Sequence, residues 1–205
     1  EVQSIVFFDR PSGKQLWQTE VNRGGLPVRI HRKNTHATSS VASDGQRLFA
    51  TFLNNDHLQV VALDLNGRLH WGRLAGRFTP EEYKNGYAAS PLLYGEDVII
   101  AGDFDGDAFL AALDRRTGEL VWKIKRPSKI NYASPVVAQL AGRDQLLISG
   151  CDMIASYDPR SGELLWEAPA TTMATAGTIV WDGDLVFASG GFPDAETVCV
   201  RADGS

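Results

Sequence analysis

The 205-residue chain has little of what most catalytic or membrane-spanning proteins display. It has two cysteines, Cys151 and Cys199, 48 positions apart in sequence, which fits a reducing compartment or two thiols that never pair. No run approaches the ~18 apolar residues of a membrane span, so no transmembrane segment is expected. A net charge of −5 and a pI near 5.4 give no basic footprint, so nucleic acid is not an expected partner. No stretch sustains a 3.6-residue apolar period over three turns, which excludes a helical bundle. No G-x-S-x-G, Walker-type or Ser-His-Asp pattern is present. His31, His36, His57 and His70 lack the close ligand pairs by which zinc sites announce themselves.

What the chain has is repetition. FFDRPSGKQLW, ALDLNGRLHW, ALDRRTGELVW and SYDPRSGELLW end at Trp17, Trp71, Trp122 and Trp166, spaced by 54, 51 and 44 residues, and a fifth copy opens at Arg201. A period of that size indicates a solenoid, propeller or array. The units also open alike, at TSSVASDGQRLFATF (38–52), ASPLLYGEDVIIAGD (89–103), ASPVVAQLAGRDQLLISG (133–150) and TAGTIVWDGDLVFASG (175–190). Each opening is a small-residue start followed by two short apolar runs around a Gly- or Asp-bearing turn, the pattern of a tight strand pair. The tryptophan-bearing half supplies two more strands. Asp9, Asp64, Asp114 and Asp158 begin its turns, where a carboxylate bonds backbone N–H groups two or three residues on. Gly13, Gly67, Gly118 and Gly162 supply the positive φ that closes them. Asn66-Gly67, in the shortest copy, predicts a two-residue type I′ turn.

Runs such as Val60-Val61-Ala62-Leu63 and Val98-Ile99-Ile100-Ala101 are continuous rather than alternating, so each sheet is covered on both faces. Stacking one sheet on the next achieves this, and one Trp per unit, burying ~150–250 Å², makes the same blade-to-blade contact each time. The expected fold is therefore all-β: a β-propeller of four-stranded antiparallel blades. It divides into a half blade at 4–20, blades at 38–75, 89–126 and 133–168, and an incomplete blade at 177–203. That count predicts about half of a larger, seven- or eight-bladed ring; the alternative is a closed four-bladed ring completed by the N-terminal half blade. Because the chain opens inside a blade, a missing signal peptide says nothing of export.

The recurring A-x-D-x-x-[ST]-G-x-x-x-W resembles the tryptophan-docking motif of the PQQ-like β-propeller repeat family, which includes quinoprotein dehydrogenases and envelope proteins similar to the BamB lipoprotein. The resemblance covers nearly the whole chain and implies a bacterial periplasmic or cell-envelope location. A quinoprotein would, by the same resemblance, carry an adjacent Cys-Cys disulfide over the quinone, a calcium held by Glu, Asn and Asp, and a catalytic Asp. The adjacent pair is missing, so PQQ is not expected and the preferred reading has no cofactor; calcium is the alternative that is not favoured. Fold alone does not decide function. The expected role is a non-catalytic scaffold for a protein or polymer; the alternative is an enzyme, a quinoprotein dehydrogenase or a carbohydrate-active propeller, whose site lies outside this segment.

Two features stand out as candidate chemistry. Asp103, Asp105 and Asp107 resemble part of a calcium loop, but a polar hairpin tip with an Asp-Gly turn is the preferred reading. Arg29, His31, Arg32, Lys33 and His36 form a basic run without an acidic residue in the longest connection. In a propeller, blade-to-blade connections share a face with the second-to-third-strand hairpins, and the Asp-Gly turns lie opposite. Long loops on a rigid scaffold are where binding concentrates, so Arg32, Lys33, His36, Tyr83, Tyr87 and Tyr132 are the expected partner-binding residues.

Overall fold

The computed structural model describes residues 1–32, 34–170 and 172–204; Lys33, one of the expected contact residues, lies outside them. No helix occurs among the described residues, and every strand pairing is antiparallel. A two-stranded sheet is formed by β1 (Val2–Phe8) and β2 (Gln15–Arg23). Three four-stranded meanders follow. The first comprises β3 (Ala42–Ser43), β4 (Arg47–Asn54), β5 (His57–Asp64) and β6 (Leu69–Arg77). The second comprises β7 (Leu92–Tyr94), β8 (Asp97–Gly102), β9 (Phe109–Asp114) and β10 (Leu120–Lys125). The third comprises β11 (Val136–Leu140), β12 (Arg143–Gly150), β13 (Met153–Tyr157) and β14 (Leu164–Pro169). A three-stranded sheet of β15 (Val180–Asp182), β16 (Leu185–Gly190) and β17 (Glu196–Arg201) completes the array. These are the blades of a partial propeller.

The two middle strands of each full blade carry the core. Val98, Ile99, Ile100 and Ala101 on β8 are all buried, as are Leu110 to Leu113 on β9, because neighbouring blades cover both faces. One apolar cluster joins residues of the first, second and third full blades, from Phe49 through Ile99 to Tyr157. A second joins the third full blade to the three-stranded sheet through Leu147, Trp166 and Val186.

The tryptophans bind each blade to the next by one repeated contact. A Cβ placed on Gly67, Gly118 or Gly162 would lie 2.8, 2.7 and 2.7 Å from the rings of Trp17, Trp71 and Trp122. All three glycines have positive φ, so each position demands glycine twice over, for its backbone and for the ring above it. Trp17 Nε1 donates to Leu65 O (2.9 Å) and Trp71 Nε1 to Arg115 O (3.2 Å), each on the following blade. The last pairs depart from this rule: Trp166 Nε1 donates to Gln145 Oε1 (2.7 Å), and Trp122 Nε1 is buried without a partner.

The turns are built as the residue types require, with one correction, at Asp64, and one variation, in the fifth copy. Asp114 Oδ1 accepts from the N–H of Arg116 and Thr117, and Gly118 N donates to Asp114 O at 2.7 Å. Asp158 does the same with Arg160, Ser161 and Gly162, and Asp9 bonds Ser12 while its carbonyl accepts from Gly13. The Asp64 turn is not type I′. Only Gly67 has positive φ, Gly67 N donates to Asp64 O (3.0 Å), and Asp64 N donates to Arg68 O (3.0 Å); this is a type I turn closed by a left-handed glycine, the three-residue hairpin loop. In the fifth copy Arg201, not an aspartate, holds the turn's first position. Ala202 N donates to Asp184 O (2.9 Å) as Arg115 N does to Glu96 O (2.8 Å), and Gly204 N donates to Arg201 O.

Candidate functional site

The turn face is short and uniform, whereas the opposite face is built from the blade-to-blade connections and the second-to-third-strand hairpins. Its foundation is a buried polar network. Arg126, one residue past β10, makes a two-pronged pair with Asp103 at the tip after β8: Nε to Oδ1 at 3.0 Å and Nη2 to Oδ2 at 2.9 Å. The two side chains are 0% and 2% exposed. Arg126 Nη1 donates to the Tyr157 hydroxyl on the next blade (2.8 Å). Burial opposes the guanidinium's charge, but the Asp103 carboxylate outweighs it and holds the group protonated; a buried charge is tolerated because it is paired and hydrogen-bonded.

Asn131 extends the network. Its Nδ2 donates to Asp103 Oδ2 (3.0 Å) and Ser149 O (2.8 Å), while its Oδ1 accepts from the N–H of Thr175 (3.3 Å). One amide thus ties the second blade, the third blade and the connection to the last sheet. Cys151, at φ +60 in the hairpin after β12, turns its thiol inward, with Sγ 3.5 Å from Lys129 O. Burial, with the Asp103 carboxylate beside it, pushes this thiol up to about 12, which makes it a poor nucleophile.

The aspartate trio does not converge. Asp103 is committed to Arg126 and Asn131, Asp105 accepts the backbone N–H of Glu81 and Glu82, and Asp107 is exposed. Among the described residues no group of three or more His, Cys, Asp or Glu side chains is placed to hold a metal ion. The arrangement also does not fit a quinone capped by adjacent cysteines: Cys151 is buried and Cys199 exposed, on different blades. Of the histidines, His70 is exposed with Nε2 3.6 Å from Asp64 Oδ2, and His57 Nδ1 lies 2.7 Å from Asn55 O.

On this network rests a cavity of 420 Å³ into which five loop segments converge. Tyr83 and Asn85 come from the connection after β6, Ile130 and Tyr132 from that after β10, and Ala174, Thr175 and Ala176 from that after β14. Phe192 reaches in from the hairpin between β16 and β17, and His31 from the connection after β2. The walls are fixed: Tyr132 N donates to Thr175 O (3.0 Å), Asn85 Nδ2 to the Tyr132 hydroxyl (2.9 Å), and the side chain of Asn34 to Asn85 O.

Of the expected contact residues, Tyr83 and Tyr132 therefore meet in one cavity, and Arg32 and His36 are exposed on the same connection as His31. Tyr87 stands apart. It is 9% exposed, its hydroxyl donates to Ala101 O (3.0 Å), and its ring packs edge-on against Phe78; it shapes the loop from beneath and offers no surface. Sequence reasoning did not single out Arg126, Asn131 or Phe192. A lone arginine after a strand and an asparagine before a tyrosine carry no periodic signal, and only their three-dimensional convergence on Asp103 shows what they do.

The comparisons agree with this architecture. The family model described as outer membrane protein assembly factor BamB matches residues 1–204. A search of curated proteins finds no match. The crystal structure of BamB from Moraxella catarrhalis is similar at 20% identity with a TM-score of 0.68, over 98% of this chain and 56% of that one. The quinohemoprotein alcohol dehydrogenase ADHIIG from Pseudomonas putida HK5 is similar at 13% identity and a TM-score of 0.52, over 95% of this chain and 35% of that one. At these identities the two structures speak to the fold, and the chain spans little more than half the BamB structure. With its docked tryptophans, four-stranded blades and a family match over nearly every residue, the chain belongs to the BamB family of PQQ-like repeat propellers.

Proposed function

We propose that this chain is a non-catalytic binding platform of the bacterial cell envelope that receives a protein partner on the loop face. The observation that carries the reading is the Asp103–Arg126–Asn131 network: it spends buried polar groups to hold loops from successive blades in one geometry, around a cavity with aromatic walls. Rigid support beneath long loops is what a preformed recognition surface needs. The groups best placed for chemistry are engaged structurally, with Asp103 in an ion pair and the Cys151 thiol raised by burial. The family description, an outer-membrane protein assembly factor, favours a protein over a polymer and an envelope location.

Photo-crosslinkers placed in the full-length protein at Arg32 and Lys84, on the loop face, and at Arg10 and Arg116, on the turn face, test this in cells. Crosslinks to one defined envelope protein from the first pair alone support the platform; a defined product from the turn-face pair alone contradicts it.

A further inference from the structure

We infer that the loop-face cavity is a binding site for a quaternary ammonium group. Three aromatic side chains from three separate segments wall it: Tyr83, Tyr132 and Phe192. Tyr83 and Phe192 meet edge to face, with centroids 6.1 Å apart and planes at 77°, and so form a right-angled corner. Tyr132 is held in place through its hydroxyl by Asn85. The face of an aromatic ring is the negative pole of its quadrupole, so a cation enclosed by several rings is attracted to each.

The charge distribution sets the sign of the ligand. Among the described residues no lysine or arginine lines the cavity, and its one basic side chain is the imidazole of His31; Arg32 and Lys84, next in sequence to lining residues, are exposed and screened by solvent. Asp105 accepts the N–H groups of Glu81 and Glu82, the two residues before Tyr83, so a carboxylate is held beside the segment that supplies one of the aromatic walls. The cavity thus joins aromatic walls to a nearby negative charge. A primary ammonium brings three N–H donors and a tight hydration shell, and the mostly apolar lining, with the Tyr132 hydroxyl already serving Asn85, offers too few acceptors to replace that shell. A quaternary ammonium has no N–H, and its methyl groups pack directly on the rings. The volume of 420 Å³ lies in the range of small-ligand pockets. This site does not depend on whether a protein docks on the same face.

The test is a titration of the full-length protein with choline, with tetramethylammonium and with 3,3-dimethylbutanol, the uncharged isostere of choline, followed by calorimetry and by saturation transfer to the methyl protons. The two cations are expected to bind about 3- to 30-fold tighter than the neutral isostere, the span that cation–π contacts give. Phe192→Leu, at a half-exposed position, should reduce choline affinity at least about threefold with an unchanged melting temperature. Phosphatidylcholine vesicles form the second arm: capture that free choline reverses assigns the group to a lipid headgroup, and choline binding without vesicle capture assigns it to a soluble solute. Equal affinity for choline and its isostere would make the cavity a plain apolar pocket and overturn the inference, as would no binding of either cation.

Discussion

Asn131 occupies the space that a side chain on Gly150 would need: a Cβ built on Gly150 falls 2.2 Å from Asn131 Oδ1. Gly150 also has φ +110, a conformation that L side chains rarely adopt. The end of β12 is therefore shaped around the amide that joins Asp103, Ser149 and Thr175. Gly150→Ala should cost ~2–3 kcal/mol from backbone strain alone, with a further loss as Asn131 is displaced. Adding Asn131→Ala should relieve the clash but not the φ cost. Urea melts that leave the single variant within experimental error of wild type would contradict this.

Removing a docking tryptophan should be severe. Trp71→Ala takes away the ring that lies over Gly118 and the bond to Arg115 O, and should cost ~3–5 kcal/mol, as other buried aromatics do. Trp181, on β15 outside the repeat slot and 45% exposed, should cost clearly less. Equal, small losses in denaturant melts would count against blade docking as the main lateral contact.

The buried ion pair should be strongly coupled. Arg126→Met leaves Asp103 charged and unpaired and should destabilise by ~3–5 kcal/mol, whereas the double change Arg126→Met with Asp103→Leu should recover much of that loss. A double variant as unstable as the two single losses added together would argue that the groups act independently.

The thiols should differ in reactivity. At pH 8 a thiol reagent should modify Cys199, which is exposed, and leave Cys151, which is buried with its thiol raised to about 12; in denaturant both should react. Rapid native labelling of Cys151 would show that the hairpin after β12 opens readily.

Much of this fold was legible in the sequence because it repeats. The tryptophan slot, the turn glycines and the continuous apolar strands are each imposed by a contact made several times, so four copies disclose one geometry. The departures arose where a copy differs by one residue: the shortened Asp64 turn closes around a left-handed Gly67 instead of two left-handed residues, and Arg201 takes an aspartate's place. The site was less legible because its parts occur once. Tyr83 and Tyr132 could be placed on the loop face from topology, but burial sends Tyr87 inward, Asp103 is neutralised by Arg126, and Phe192 arrives from a hairpin more than a hundred residues from Tyr83 in the sequence. Such convergence depends on how connections fold over the blades, which no local pattern encodes.

The most direct test of the central claim, that the loop face of this propeller receives a partner, is copurification of the crosslinked partner with charge-reversed variants. Arg32→Glu with Lys33→Glu should reduce capture several-fold, because rim charges control encounter with a partner. Arg10→Glu with Arg116→Glu, exposed on the turn face, should leave it unchanged. Loss of capture from the turn-face pair, with the loop-face pair retaining its partner, would move the binding surface to the opposite side of the propeller and contradict the account.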